Sequence, residues 1–186
     1  MRKSEELEDV NLWIDSSDFP LAGTRSSSKK DLFWSWKLNK LGVRFMVLLD
    51  GNGQIRFITP GYTPKLYDGH WLEANKYFIE EKFKGGTIIG DTHFEKGEHL
   101  FTNVSFKTPI KEPRQKKRRS DGVEVPQLNQ KSQDYNEKHK ELRTRVELPF
   151  ARIQNLFNTL NRPFEEGIEK LEYLVLIACI ILNKMN

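Results

Sequence analysis

Three acidic residues stand beside apolar runs in a pattern that suits metal-assisted phosphoryl transfer: Asp15, Asp91 and Glu147. Asp15 and Asp91 each follow a short apolar stretch that is expected to form a strand, and Glu147 falls on an expected helix. A carboxylate at an apolar strand end gives up part of its hydration, so a metal ion or another partner should compensate it. Magnesium takes oxygen ligands and one or two carboxylates per ion, so three carboxylates can hold two ions.

The separation of these acids along the chain carries no weight alone, because a chain with 26 acidic residues offers many such triples. On pattern alone, a helix cap or a surface salt bridge explains them at least as well. Their position beside apolar runs is the feature that favours a metal site.

The first half of the chain predicts an antiparallel meander. Val10–Ile14 alternates apolar and polar residues like a short strand, which puts Asp15 at its exit, and Ser16–Lys30 has the Ser, Gly and Lys content of a loop. Further strands are expected over Leu32–Lys37, Val43–Leu49 and Gln54–Thr59. The last two are joined by Asp50-Gly51-Asn52-Gly53, a strong hairpin signal.

The periodicity then changes to that of a helix. From Asp68, the expected N-cap, apolar residues follow helical spacing up to a stop at Gly85-Gly86. Thr87–Gly90 is next, a short buried strand that delivers Asp91. Because a helical crossover precedes this strand, it should join the sheet in parallel.

The second half of the chain predicts mostly helix. Thr102–Ile110 can form one more strand, and Lys111–Pro126 is a basic insertion without regular structure. A long amphipathic helix should carry the apolar stripe from Tyr135 to Leu160, and Pro149 should cause a kink or a restart just after Glu147. Glu166–Lys184 gives a final, largely apolar helix.

Composition is that of one globular domain, with 37% hydrophobic and 30% charged residues and a net charge of +4. Lys111–Arg119 concentrates six basic residues and one acid, which suits either a solvated loop or a phosphate-facing segment.

A single cysteine, Cys179, excludes an intrachain disulfide and a cysteine-cluster zinc site. The apolar run Tyr173–Leu182 is too short to span a membrane and predicts a buried helix. The N-terminus lacks a secretory signal, so an intracellular protein is expected.

Several ordered blocks of this sequence resemble the catalytic domain of PIF/Harbinger-type DDE transposases. The blocks are Trp13-Ile14-Asp15-Ser16-Ser17, Phe33-Trp34-Ser35-Trp36-Lys37, Tyr67-Asp68-Gly69, Ile89-Gly90-Asp91-Thr92-His93-Phe94, Tyr135-Asn136, Arg143-Thr144-Arg145-Val146-Glu147-Leu148-Pro149-Phe150 and Ala178-Cys179-Ile180-Ile181-Leu182-Asn183. Together they run from about Val10 to Asn183, and each acid arrives inside its own block.

The resemblance implies an α/β, RNase H-like fold: a mixed sheet with an antiparallel three-strand meander plus parallel additions, flanked by helices. It also implies that Asp15, Asp91 and Glu147 bind two divalent ions, Mg or Mn, and catalyse DNA nicking and strand transfer. Asp68 matches a family position, although a helix cap explains it equally well. His93 stands where the family usually has a small residue and is interpreted as a substitution.

Basic residues are the expected DNA contacts. They are Lys37, Arg143, Arg145, Arg152, Lys116, Lys117, Arg118 and Arg119. Alternatives remain for some of them: Arg143 and Glu147 can simply pair along a helix, and the basic run 116–119 can serve nuclear localisation or solubility. Of the indoles beside Ser35, one is expected in the core, and stacking on a flipped base is the less favoured alternative.

The expected organisation is a tail over residues 1–9 and a catalytic domain over 10–186, with a flexible basic insertion at about 111–127. Family members carry a DNA-binding region ahead of this domain, so a truncated protein is expected, and the nucleus is the expected location if the host is eukaryotic.

An inactive, domesticated fragment that binds DNA or protein is the alternative function, and a nuclease for RNA/DNA hybrids is a third. Besides DNA, another copy of the chain or a separate DNA-binding protein is a possible partner, and no membrane is expected.

Overall fold

The computed structural model describes Leu7 and residues 9–23, 31–111 and 128–185, and for residues 145–148 it describes the backbone only. Six strands form one mixed sheet. They are β1 (Leu12–Pro20), β2 (Trp34–Ser35), β3 (Lys40–Asp50), β4 (Ile55–Ile58), β5 (Thr87–Ile89) and β6 (Ser105–Lys107). The strand order is β2-β3-β1-β5-β6, with β4 paired to β3.

The strand β1 is nine residues long, so the prediction that it ends before Asp15 is wrong. It pairs antiparallel with β3 along its whole length, from Leu12 opposite Asp50 to Pro20 opposite Gly42. The polar residues that suggested a loop are accommodated within the strand because they have partners. The Ser16 hydroxyl donates to Asp68, and Asp18 accepts from Arg44. Asp15 therefore lies in the middle of a strand.

The antiparallel part of the sheet otherwise follows the prediction. The strands β3 and β4 form the expected hairpin, closed by a bond of 3.0 Å from the Asp50 N–H to the Gln54 carbonyl. Gly53 takes φ +76°, a conformation that glycine adopts without strain. The expected strand over Leu32–Lys37 is shorter, because only Trp34–Ser35 pairs with β3 before the chain turns.

Two parallel strands extend the sheet on the other side of β1, as the crossover predicted. Leu12 pairs with Ile88 and Trp13 with Ile89, and β5 pairs in turn with β6. The strand expected over 102–110 is thus reduced to three residues.

Five α-helices accompany the sheet in the described residues. They are α1 (Asp68–Ala74), α2 (Lys76–Lys82), α3 (Gly97–Leu100), α4 (Gln130–Leu156) and α5 (Ile168–Met185). Short 3-10 turns cover Thr92–Phe94 and Asn158–Asn161.

The single helix expected from Asp68 is two helices, α1 and α2, which meet at Asn75. The Asn75 side-chain amide donates to the Trp71 carbonyl at 2.9 Å, which occupies an acceptor at the end of α1. The predicted cap at Asp68 is wrong by one position: Tyr67 is the N-cap, and no side chain caps the helix. The Asp68 carboxylate instead accepts hydrogen bonds from the side chains of Ser16, Arg44 and Tyr62.

The long helix α4 starts at a side-chain cap, where Asn129 accepts the Ser132 N–H at 3.0 Å. It continues through Pro149 to Leu156, so the predicted restart does not occur. Proline removes one helical hydrogen bond, but the next turn is held by burial of Phe150 and Ile153 in the core.

Two hydrophobic clusters cover the two faces of the sheet, and β3 shows the division: Phe45, Val47 and Leu49 belong to one, Met46 and Leu48 to the other. Helices α4 and α5 pack on the first face, and α1 and α2 pack on the second. Leu7, within the expected tail, is buried in the first cluster.

The last helix, α5, is buried on one side only. Val175, Ala178 and Leu182 are in the core, whereas Ile177 and Ile180 are about half exposed, at 49% and 50%. The prediction of a buried helix therefore holds for one face. No helix among the described residues is long and apolar enough to cross a membrane.

Candidate functional site: a carboxylate cleft

The parallel pairing of β1 with β5 brings two of the predicted acids together. Trp13 stands opposite Ile89, and Asp15 and Asp91 each follow two residues later. Neighbouring strands lie about 4.8 Å apart, so equal steps along them keep the two residues adjacent. Both side chains line one cleft of about 690 Å³. Burial is the main cause of the raised pKa of Asp15, and the negative charge of Asp91 in the same cleft adds to it.

Asp15 faces the helix α4, on the same side of β1 as Trp13 and Phe19. Its Oδ1 accepts the Ser16 N–H at 2.8 Å. Burial raises the pKa of Asp15 to about 6, against opposing effects of the Ser16 hydrogen bond and of the positive charges of Arg143 and Lys37. A half-buried carboxylate of this kind gains from a bound cation, which replaces lost hydration.

Asp91 follows Gly90 directly after β5, and the Gly90 N–H donates to the Lys107 carbonyl at 3.0 Å. A Cβ at Gly90 would lie 3.0 Å from both Ile14 Cγ2 and Phe94 Cδ2, so a larger residue would push these side chains apart. The Asp91 Oδ1 accepts the His93 N–H at 2.7 Å and thereby caps the following 3-10 turn. Its Oδ2 lies 3.8 Å from Arg143 Nη1.

Glu147 belongs to α4, the helix that forms the opposite wall of the cleft. Arg143 and Ala151, four residues before and after it, both line the cleft. Residues four apart share one face of a helix, so the backbone of Glu147 lies on the face that meets Asp15 and Asp91. The Glu147 side chain is outside the described atoms.

A buried ionic network lies under the cleft. Arg44 Nε contacts Asp18 Oδ1 at 2.6 Å, and Arg44 Nη1 contacts Asp68 Oδ1 at 3.4 Å. Ser16 Oγ donates to Asp68 Oδ2 at 3.1 Å, which links this network to the residue next to Asp15. Tyr62 also donates to Asp68, at 3.3 Å. The network ties β1, β3 and α1 together around the cleft floor.

Asp18 and Arg44 belong to this network and were not predicted from the sequence. The Asp18 side chain is fully buried, at 0% exposure, and the Arg44 side chain is mostly buried, at 19% exposure. A signal was present, because Arg44 interrupts the apolar strand Val43–Leu49 and a buried charge requires a partner. Nothing in the sequence pointed to which acid would supply it.

The predicted DNA-contacting residues are distributed unevenly. Lys37 and Arg143 line the cleft. Arg152 is exposed on α4, outside the described lining of the cleft, and only the backbone of Arg145 is described. The basic residues Lys116, Lys117, Arg118 and Arg119, with the rest of 112–127, lie outside the described residues.

The donor set fits a hard divalent cation. Asp15 and Asp91 offer carboxylate oxygens, which Mg²⁺ and Mn²⁺ prefer. No cluster of three or more His, Cys, Asp or Glu ligands occurs among the side chains that the structure describes, a set that excludes Glu147. His93 is exposed and lies edge-on to Tyr67, with ring centroids 6.0 Å apart.

A mixed sheet with one carboxylate on a central strand, a second just past the end of its parallel neighbour, and a long helix across both defines an RNase H-like domain. Residues 14–183 match the family described as DDE superfamily endonuclease, and the chain belongs to that family. Comparison with curated protein sequences gives no match.

Among solved structures, the chain resembles a piggyBac transposase, seen by cryo-EM in a synaptic complex with hairpin DNA, with a TM-score of 0.53 at 12% identity. The likeness covers 94% of this chain and 47% of that one, so the chain spans about half the length of this relative. It supports the RNase H-like fold expected from the sequence.

Proposed function

We propose that this chain is the catalytic domain of a DDE transposase of the PIF/Harbinger type, which nicks DNA and transfers a strand using two divalent ions, Mg or Mn. The observation that carries the proposal is the side-by-side placement of Asp15 and Asp91 in one cleft, opposite the helix face of Glu147. Family membership supports the nuclease class.

The three acids have distinct parts in this proposal. Asp15 and Asp91 would hold the ions between the two strands, and Glu147 would hold one of them from α4. When bound, such ions supply an activated water or 3′-hydroxyl and stabilise the leaving oxygen of the phosphodiester. The chain's own contribution is to fix the carboxylates: the Ser16 N–H orients Asp15, and the His93 N–H orients Asp91.

The basic residues of the cleft would bind the DNA backbone. Arg143 lies 3.8 Å from Asp91 and offsets part of the negative charge of the carboxylates, and Lys37 is an exposed residue of the cleft lining, where a phosphate can approach. Arg145, Arg152 and the run 116–119 would extend this contact, and the same run would direct the protein to the nucleus of a eukaryotic host.

Plasmid nicking tests the proposal. The wild type is expected to convert supercoiled plasmid to the nicked form with Mg²⁺ or Mn²⁺ and not with EDTA, and Asp91→Asn is expected to be inactive. Lys84→Ala serves as a matched control, because Lys84 lies outside this cleft.

Equal activity of the wild type and Asp91→Asn, or none in either at any metal concentration, would favour an inactive DNA- or protein-binding module. An RNA/DNA hybrid offered beside duplex DNA separates the transposase from a hybrid-specific nuclease. Faster cleavage of the hybrid would overturn the proposal.

A further inference from the structure

One aromatic side chain at the cleft is left almost entirely in water. Trp36 is 83% exposed, whereas its neighbour Trp34 packs against the core. An indole is among the largest apolar groups a protein can bury, so leaving it exposed gives up stabilisation. The strand β2 ends at Ser35, and Trp36 lies in the turn that follows.

Trp36 lies at the site and not elsewhere on the surface. It lines the same cleft as Asp15 and Asp91, and the next residue is the exposed Lys37. A flat apolar ring beside a cation matches a nucleotide, which offers a base face and a phosphate.

The turn that carries Trp36 is firmly built. Ser35, fully buried, donates from Oγ to Asp18 Oδ2 at 2.5 Å, and its Oγ accepts the Leu38 N–H at 3.1 Å. Asn39 closes the turn at φ +51°, a conformation that asparagine tolerates better than most residues. Trp34 meets Trp36 edge-on, with centroids 6.3 Å apart at 83°.

We propose that Trp36 is a stacking platform for one unpaired DNA base next to the phosphate being cut, with Lys37 on the adjoining phosphate. A base inside a duplex has both faces covered by its neighbours, so only a flipped or terminal base can present a face to the indole. The proposal rests on the proposed function and deepens it by naming the form of DNA that the site prefers.

The expected effect is a preference for DNA with an unpaired base. Stacking on one aromatic side chain strengthens binding by about 10-fold per base in single-strand binding proteins. The wild type should therefore bind a short duplex with a single bulged 2-aminopurine about 10-fold more tightly than the fully paired duplex. The 2-aminopurine fluorescence should fall on binding, because stacking quenches it.

Substitutions assign the effect to Trp36. Trp36→Ala should lose both the preference and the quenching, and Trp36→Phe should restore most of each, since a phenyl ring also stacks. Tyr77→Ala is the matched control: Tyr77 is 86% exposed on α2, away from the cleft, and its removal should change neither. Binding is measured with Ca²⁺ in place of Mg²⁺, so that the DNA stays intact.

The binding assay is read separately from nicking. If Trp36→Ala keeps the preference for the bulged duplex, or if the wild type shows none, the platform is refuted even where the wild type nicks plasmid. If the wild type prefers the bulge through Trp36 but never nicks, the platform stands and the proposed catalysis fails.

Discussion

Replacement of Asp15 by asparagine should stabilise the metal-free protein, although it removes a proposed metal ligand. Burial raises the pKa of Asp15 from 3.8 to about 6, so the folded state holds this proton more tightly than the unfolded state does. The stability that comes with protonation is fully present below pH 3.8 and is lost as the pH rises through 6. An asparagine keeps the shape and the acceptor for the Ser16 N–H without the charge.

The magnitude follows from the shift. About two pKa units correspond to roughly 3 kcal/mol of destabilisation at pH 7.5, which is about 6–12 °C in Tm for a domain of this size. Because the carboxylate keeps some solvent exposure and water screens its charge, this figure is an upper bound. At pH 5 Asp15 is mostly protonated in the folded protein, although it is still mostly ionised in the unfolded chain. The stability advantage of Asp15→Asn should therefore fall to about half of its value at pH 7.5.

The assay is thermal unfolding in EDTA at pH 7.5 and pH 5, followed by circular dichroism. Asp9→Asn, at an exposed position just before β1, is the matched control and should leave the Tm unchanged. Added Mn²⁺ should raise the Tm of the wild type and not that of Asp15→Asn. If Asp15→Asn is no more stable than the wild type at pH 7.5, or if its gain in Tm is the same at both pH values, burial of the Asp15 charge does not destabilise the fold.

Three further predictions concern the network, the cysteine and the cleft rim. Arg44→Leu should cost about 3–5 kcal/mol in urea unfolding, because it leaves Asp18 and Asp68 buried without their cation. Burial raises the pKa of Cys179 to about 12, so its thiol should react with a disulfide reagent only after unfolding. Lys37→Ala should weaken binding to duplex DNA and lower the slope of log K against log salt by about one, measured by fluorescence anisotropy.

Each of these three predictions would be contradicted by a specific result. A loss below about 1 kcal/mol on Arg44→Leu would mean that the buried carboxylates are not stranded. Labelling of Cys179 in the native protein at the rate of a free thiol would contradict its burial. An unchanged salt slope for Lys37→Ala would remove this lysine from the DNA contact.

Much of the sheet could be predicted because its signals are local. The hairpin at Asp50–Gly53 depends on turn residues alone, and the parallel strand before Asp91 depends on an apolar run after a helix. The extent of β1 could not be predicted, since its polar half is stable only through partners on β3 and α1 that are distant in sequence.

The candidate site shows the same division. The strand register that sets Asp15 beside Asp91 is a property of the folded sheet, and no spacing in the sequence contains it. Asp68 was identified as a helix cap because a local explanation was available. The structure assigns its carboxylate to Arg44, Ser16 and Tyr62 instead.

A crystal structure with Mn²⁺, using anomalous scattering to locate the ions, tests the proposed metal site most directly. The proposed metal site requires Mn²⁺ in the cleft in contact with Asp15 and Asp91, with the Glu147 carboxylate as a further ligand. Manganese bound elsewhere, or a Glu147 side chain turned away from a cleft that contains Mn²⁺, would contradict it.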